Sequence, residues 1–202
     1  MTSAEKLDRC FHNEPVKDRR EIPVMLQTIT YAATCADMTQ KDIFFDNQEY
    51  QKALKITYDK VGYPDCSYNI GPGDAAFGET LPVRRPGIEL GDNELYQFVE
   101  SENMGLEDFK ILAKDGWNQW YNSYICRIQT PPFKNNMQLM MRWMKFGKNV
   151  KSNIKFLRKM GIEPMIGSGM YPAFDIFSLI RSFGEFIIAF HIFAKFHPAH
   201  HQ

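Results

Sequence analysis

Four polar side chains stand where short apolar runs end. Gln27 and Thr30 follow Val24-Met25-Leu26, Asn69 follows Cys66-Ser67-Tyr68, and Tyr171 follows Met165-Ile166. Amide, hydroxyl and phenol groups at strand ends can donate and accept hydrogen bonds to a small polar substrate without bringing charge. These four are the candidate substrate-binding residues, and capping of strands and turns is the competing use of the same groups. No catalytic residue is assigned. Asp74 follows Gly71-Pro72-Gly73 and reads as an Asx-type turn before it reads as a loop acid. Asp175 is placed to cap a following helix. Gly167-Ser168-Gly169 would admit an anion close to the backbone, but a lone G-x-G is first a tight turn.

The thiols and imidazoles say less. Cys10, Cys35, Cys66 and Cys126 are widely spaced with no C-x-x-C pair, so they read as reduced thiols and neither a zinc ribbon nor a disulfide framework is expected. His191, His197, His200 and His201 crowd a tail where metal capture would be adventitious, and no metal site is expected.

The elements that must position these groups alternate. A helix is expected over Ser3 to His12, with Leu7 and Phe11 on one face, then a short buried strand from Ile22 to Leu26. Asp46 caps a helix running to Val61, with Tyr50, Ala53, Leu54, Thr57, Tyr58 and Val61 on its buried face and Gly62 stopping it. A second strand is expected over Cys66 to Ile70, and irregular or hairpin structure from Phe77 to Leu95. A helix follows over Leu106 to Trp117, continuing to Ile125 after a break at Gly116. The longest helix should run from Asn135 or Asn136 to Met160 and end at Gly161. Its Met137, Met140, Met141 and Met144 read as a packing face, with a partner-docking face as the alternative. A third strand is expected from Met165, and a helix over Phe174 to Phe190. Short apolar strands between amphipathic helices indicate a parallel α/β fold.

Composition narrows the class. With 44% hydrophobic and 24% charged residues the chain can bury a core. Its 24 basic and 24 acidic residues cancel, so no global field draws it to nucleic acid or anionic membrane. The polar start carries no secretory signal, and the apolar run from Phe186 to Phe196 is too short to span a bilayer. A cytoplasmic protein is expected.

Four signatures recur here in an order that resembles the uroporphyrinogen decarboxylase superfamily, in particular its branch related to corrinoid-dependent methyltransferases. They are Lys17-Asp18-Arg19-Arg20-Glu21-Ile22-Pro23-Val24, then Val61-Gly62-Tyr63-Pro64-Asp65, then Leu106 to Leu112 with Asp115-Gly116-Trp117, and last Tyr171 to Phe183. The resemblance implies the amino-terminal part of a TIM-type (β/α)8 barrel, its site at the carboxyl ends of the strands. Such barrels need about 250 residues, so this one is expected to be incomplete. Residues 1–185 would form a partial barrel domain and 186–202 a divergent tail, as a shifted reading frame would leave.

The resemblance also implies an activity. The decarboxylases hold substrate carboxylates with arginines on the first strand, whereas Met25 to Tyr31 contain none. Leu179 falls near the family's later tyrosine, and Tyr68 and Asn69 fall near its second-strand aspartate. The methyltransferase branch activates a thiol on zinc held by His and Cys, but no His-x-Cys pair is present. No cofactor is therefore expected on this chain. Zinc and a corrinoid protein partner belong to full-length relatives of the methyltransferase type.

The leading expectation is methyltransferase-like ancestry, with methyl transfer from a small substrate to a corrinoid or thiol and an incomplete site in this chain. One alternative is uroporphyrinogen decarboxylation in porphyrin biosynthesis. Another is a non-enzymatic half-barrel that associates with itself, because open strands expose backbone groups and apolar faces.

Overall fold

Asp65 shows how the chain is first drawn together. In the computed structural model, which describes residues 1–28, 30–68, 71, 83–98, 103–128 and 132–165, its carboxylate accepts from the Val24 amide at 3.0 Å and the Ser3 hydroxyl at 3.2 Å. Lys6 lies 2.9 Å away. Helix α1 (Ser3–Phe11), started by a Thr2–Glu5 capping box, is thereby tied to the segment around Val24.

That segment runs parallel to β1 (Cys66–Ser67) through a bridge between Met25 and Cys66. Cys66 bonds towards it, donating to the Val24 carbonyl at 3.2 Å and accepting from the Leu26 amide at 3.2 Å. Asp65 and Ser67 bond the other way, to Glu163 and Met165 at 3.0 and 2.9 Å. This pairs β1 in parallel with β4 (Glu163–Pro164), in the register Cys66 to Glu163 and Ser67 to Pro164. Three parallel segments thus lie side by side. The expected first strand shrinks to the Met25 bridge, because Ile22, Val24 and Met25 are exposed rather than buried. The second ends at Ser67 within the described residues, and the third begins two residues early, at Glu163.

Helix α2 (Tyr31–Cys35) and helix α3 (Gln40–Phe45) fill the stretch after the first segment, where no element was anticipated. Helix α4 (Asn47–Val61) forms as expected. Asp46 accepts from the Gln48 and Glu49 amides, and Tyr50, Ala53, Leu54, Thr57 and Tyr58 are buried. Val61 is 53% exposed and leaves that face. Gly62 ends the helix at φ 100° while donating to the Tyr58 carbonyl.

Two compact units emerge. The first comprises residues 1–76, 85–96 and 141–168, and its core joins Ala32, Tyr50, Leu54, Tyr58, Leu157 and Ile162. The second comprises residues 77–84, 97–140 and 169–202. It contains an antiparallel pair, β2 (Val83–Arg84) with β3 (Gln97–Phe98); β2 falls within the irregular or hairpin region expected from Phe77 to Leu95, and β3 lies beyond it. It also holds α5 (Leu106–Asp115) and α6 (Trp117–Ile128), separated at Gly116 as the sequence suggests. Its core gathers Met104, Trp120, Tyr124, Ile125 and Leu139. Asp108 braces it, accepting from Trp120 Nε1 at 3.1 Å and Arg127 at 2.9 Å.

Helix α7 (Asn136–Lys159) is the long helix. The packing face read onto its methionines is a misplacement. Met137, Met140, Met141 and Met144 are 65, 55, 63 and 56% exposed. The inward positions are Leu139, Asn153 and Leu157, which lie on the opposite side of the helical turn. The expected helix over Phe174 to Phe190 and the tail 186–202 lie outside the described residues.

The protein is therefore mixed α and β, mainly helical with short strands. No described helix is long and apolar enough to cross a membrane.

Candidate functional site

In parallel α/β architecture, loops at the carboxyl ends of the strands collect ligand-facing groups. Here that edge is formed by Leu26-Gln27-Thr28, Ser67-Tyr68 and Met165. Gln27 follows directly on the last residue bonded to β1, and it is exposed. Thr28 is buried at 7% exposure, and its carbonyl accepts from Tyr31 at 2.7 Å. Thr30 precedes α2 in helical conformation, half-buried, and its hydroxyl makes no capping bond to that helix. Its carbonyl is held by Gln40 Nε2 at 3.0 Å. Tyr68 is 44% exposed beside Ser67. Gln27 and Thr30 thus share one strand edge, whereas Asn69 and Tyr171 lie outside the described residues, as do Asp74, Asp175, Gly167-Ser168-Gly169 and the four tail histidines.

Two supports of this edge were not anticipated. Ser67 Oγ donates to the Leu26 carbonyl at 3.1 Å, so the Tyr58 hydroxyl, 2.9 Å away, is the donor to Ser67. This buried relay locks the first segment, β1 and α4 together. Gln40 is the other support: at 8% exposure, its amide fixes the backbone just before α2. Tyr58 was visible only as an apolar-face residue, and Gln40 follows the Thr39-x-x-Asp42 capping pattern that starts α3.

The edge is uncharged from Leu26 to Ala36. The Cys35 thiol one turn on holds the Tyr31 phenol above its ordinary value. Amides, hydroxyls and phenols of this kind bind neutral polar groups and cannot grip carboxylates electrostatically. Cys10, Cys35, Cys66 and Cys126 are all free thiols. Burial, with Asp65 alongside, raises the Cys66 thiol, so it is not poised as a thiolate nucleophile. Among the described residues no group of three or more His, Cys, Asp or Glu is arranged to hold a metal ion.

The second unit has a concavity of about 470 Å³ between α6 and the chain at 132–136. Gln119, Asn122, Ser123 and Cys126 line one wall at helical spacing, and Phe133 and Lys134 face the same space. Burial raises the Cys126 thiol, which leaves hydrogen bonding as the chemistry of that wall. Neither Gln27 nor Thr30 lines it.

No family model, curated protein or solved structure matches the chain.

Proposed function

We propose that the chain is the amino-terminal part of a uroporphyrinogen decarboxylase-like (β/α)8 barrel of methyltransferase-like ancestry, working on a small neutral substrate in the cytoplasm. The observation that supports this reading is the parallel alignment of the Met25 segment, β1 and β4, with α4 in the first connection and β2, β3, α5, α6 and α7 in the second. Parallel strands lying side by side are what the staves of a barrel require. The lack of charged residues from Leu26 to Ala36, beside Gln27 and Thr30, favours methyl transfer over decarboxylation of a polycarboxylate.

The described side chains do not fit a zinc-thiolate centre, so no step is assigned to one. What the chain's own residues supply is binding and orientation. Gln27 and Tyr68 offer exposed donors and acceptors, and the Tyr58–Ser67 relay keeps their strands in register. A corrinoid protein is the partner class that this ancestry proposes for the methyl group.

The test is a pair of assays on the purified chain. Conversion of uroporphyrinogen to coproporphyrinogen is expected to be absent, and turnover would overturn the reading. Titration with methanol and with small methyl ethers and thioethers is expected to shift thermal stability in the wild type and not in Gln27→Ala. An equal response in both would remove Gln27 from the site.

A further inference from the structure

We propose that the outward face of α7 docks a second copy of this chain, against its acidic segment at residues 86–96. Met141, Met144, Lys148, Lys151, Lys155 and Lys159 recur at spacings of three and four, so they form one stripe along the helix. All six are exposed. Asn153 and Leu157, on the other side, are fully buried, which fixes the stripe as the outer face. Between Asn136 and Lys159 the helix carries seven Lys and Arg and no Asp or Glu. Among the described residues none of these four lysines has an ion-pair partner. An apolar patch running into an unpaired basic ladder calls for an occupant that is apolar and then acidic.

The chain itself carries such a surface. Residues 86–109 contain no Lys or Arg, and Glu89, Asp92 and Glu94 accompany Ile88 and Leu95, which are 56 and 53% exposed. Arg85 neutralises Glu89 at 2.7 Å, and Lys41 reaches Asp92 at only 3.4 Å, between side chains about half exposed. Glu94 accepts from the Gly91 amide and has no cationic partner among the described residues. Both surfaces belong to the first unit. Overall neutrality therefore hides a segregated charge pattern, in which each copy offers what the other lacks. Two-fold pairing would use both contacts twice, doubling a modest patch.

Sedimentation of the full chain at low and high salt tests this. The wild type is expected to dimerise at low salt and to weaken as salt rises. Lys148→Glu with Lys151→Glu and Lys155→Glu should weaken association at least about tenfold, as should Asp92→Lys with Glu94→Lys. Mixing the two variants should recover a heterodimer. Circular dichroism checks that each remains folded, and Met141→Gln with Met144→Gln repeats the test without touching charge. A monomer at all concentrations, association indifferent to every variant, or lysine-dependent binding to phosphatidylserine vesicles without dimerisation would overturn the proposal.

Discussion

Tyr124 carries its hydroxyl into the second core, where the residue is fully buried and the oxygen has no hydrogen-bond partner among the described residues. Burial drives the phenol well above its ordinary value. An unmet buried hydroxyl costs about 1–3 kcal/mol, so Tyr124→Phe should be neutral or stabilising by up to about 1 kcal/mol in urea unfolding. A loss of stability would mean that the oxygen has a partner. Asp65 is the opposite case. Burial alone would raise its carboxyl, but Lys6, the Val24 amide and the Ser3 hydroxyl outweigh this and hold it below the usual range. A depressed carboxyl stabilises the fold above the unfolded value of about 3.9, and that contribution fades as pH falls through the folded value. Asp65→Asn should cost about 1–3 kcal/mol at pH 7. Its stability should also fall less steeply than that of the wild type between about pH 5 and pH 3. Parallel acid-unfolding curves would remove Asp65 from this role.

Gly62 shows what an element asks of one residue. At φ 100° it sits where side chains are strained, yet a Cβ there would meet nothing within 4 Å. Gly62→Ala should therefore cost about 1 kcal/mol from backbone strain alone, read as a drop in melting temperature. An unchanged melting temperature would show that the turn relaxes freely. This end of α4 was legible in advance, as were its Asp46 cap, the Gly116 break and the extent of α7, because cap residues and periodicity act locally. The methionine face was not. Methionine periodicity fits either side of a helix, and only Asn153, a polar residue buried against Gln51 and Asn47, shows which side turns inward. α2 and α3 escaped because they are five and six residues long, too short for a periodic pattern. Of the site, Gln27 and Thr30 were found from strand ends, while the Tyr58–Ser67 relay depends on a contact between elements that no local pattern announces.

For the molecule as a whole, equal numbers of acids and bases leave no net repulsion between copies at pH 7. Solubility in polyethylene glycol should pass through a minimum near neutrality and improve at pH 8.5. A flat profile would indicate that apolar patches, not charge, govern association. Two units with separate cores also place different demands on the chain. The first rests on long-range parallel pairing and the second largely on contacts between neighbouring helices, so local structure should form sooner in the second.

Pro164 has a consequence for growth of the sheet. Glu163 and Met165 turn their amides to β1, so position 164 turns to the opposite side, where no described strand pairs with it. Proline has no N–H to present there. A further strand joining on that side finds its first rung missing and must take hold beyond Met165. Stray chains are denied the same foothold, and Pro164→Val would restore it, turning a guarded border into a template for fibrils that thioflavin fluorescence would register.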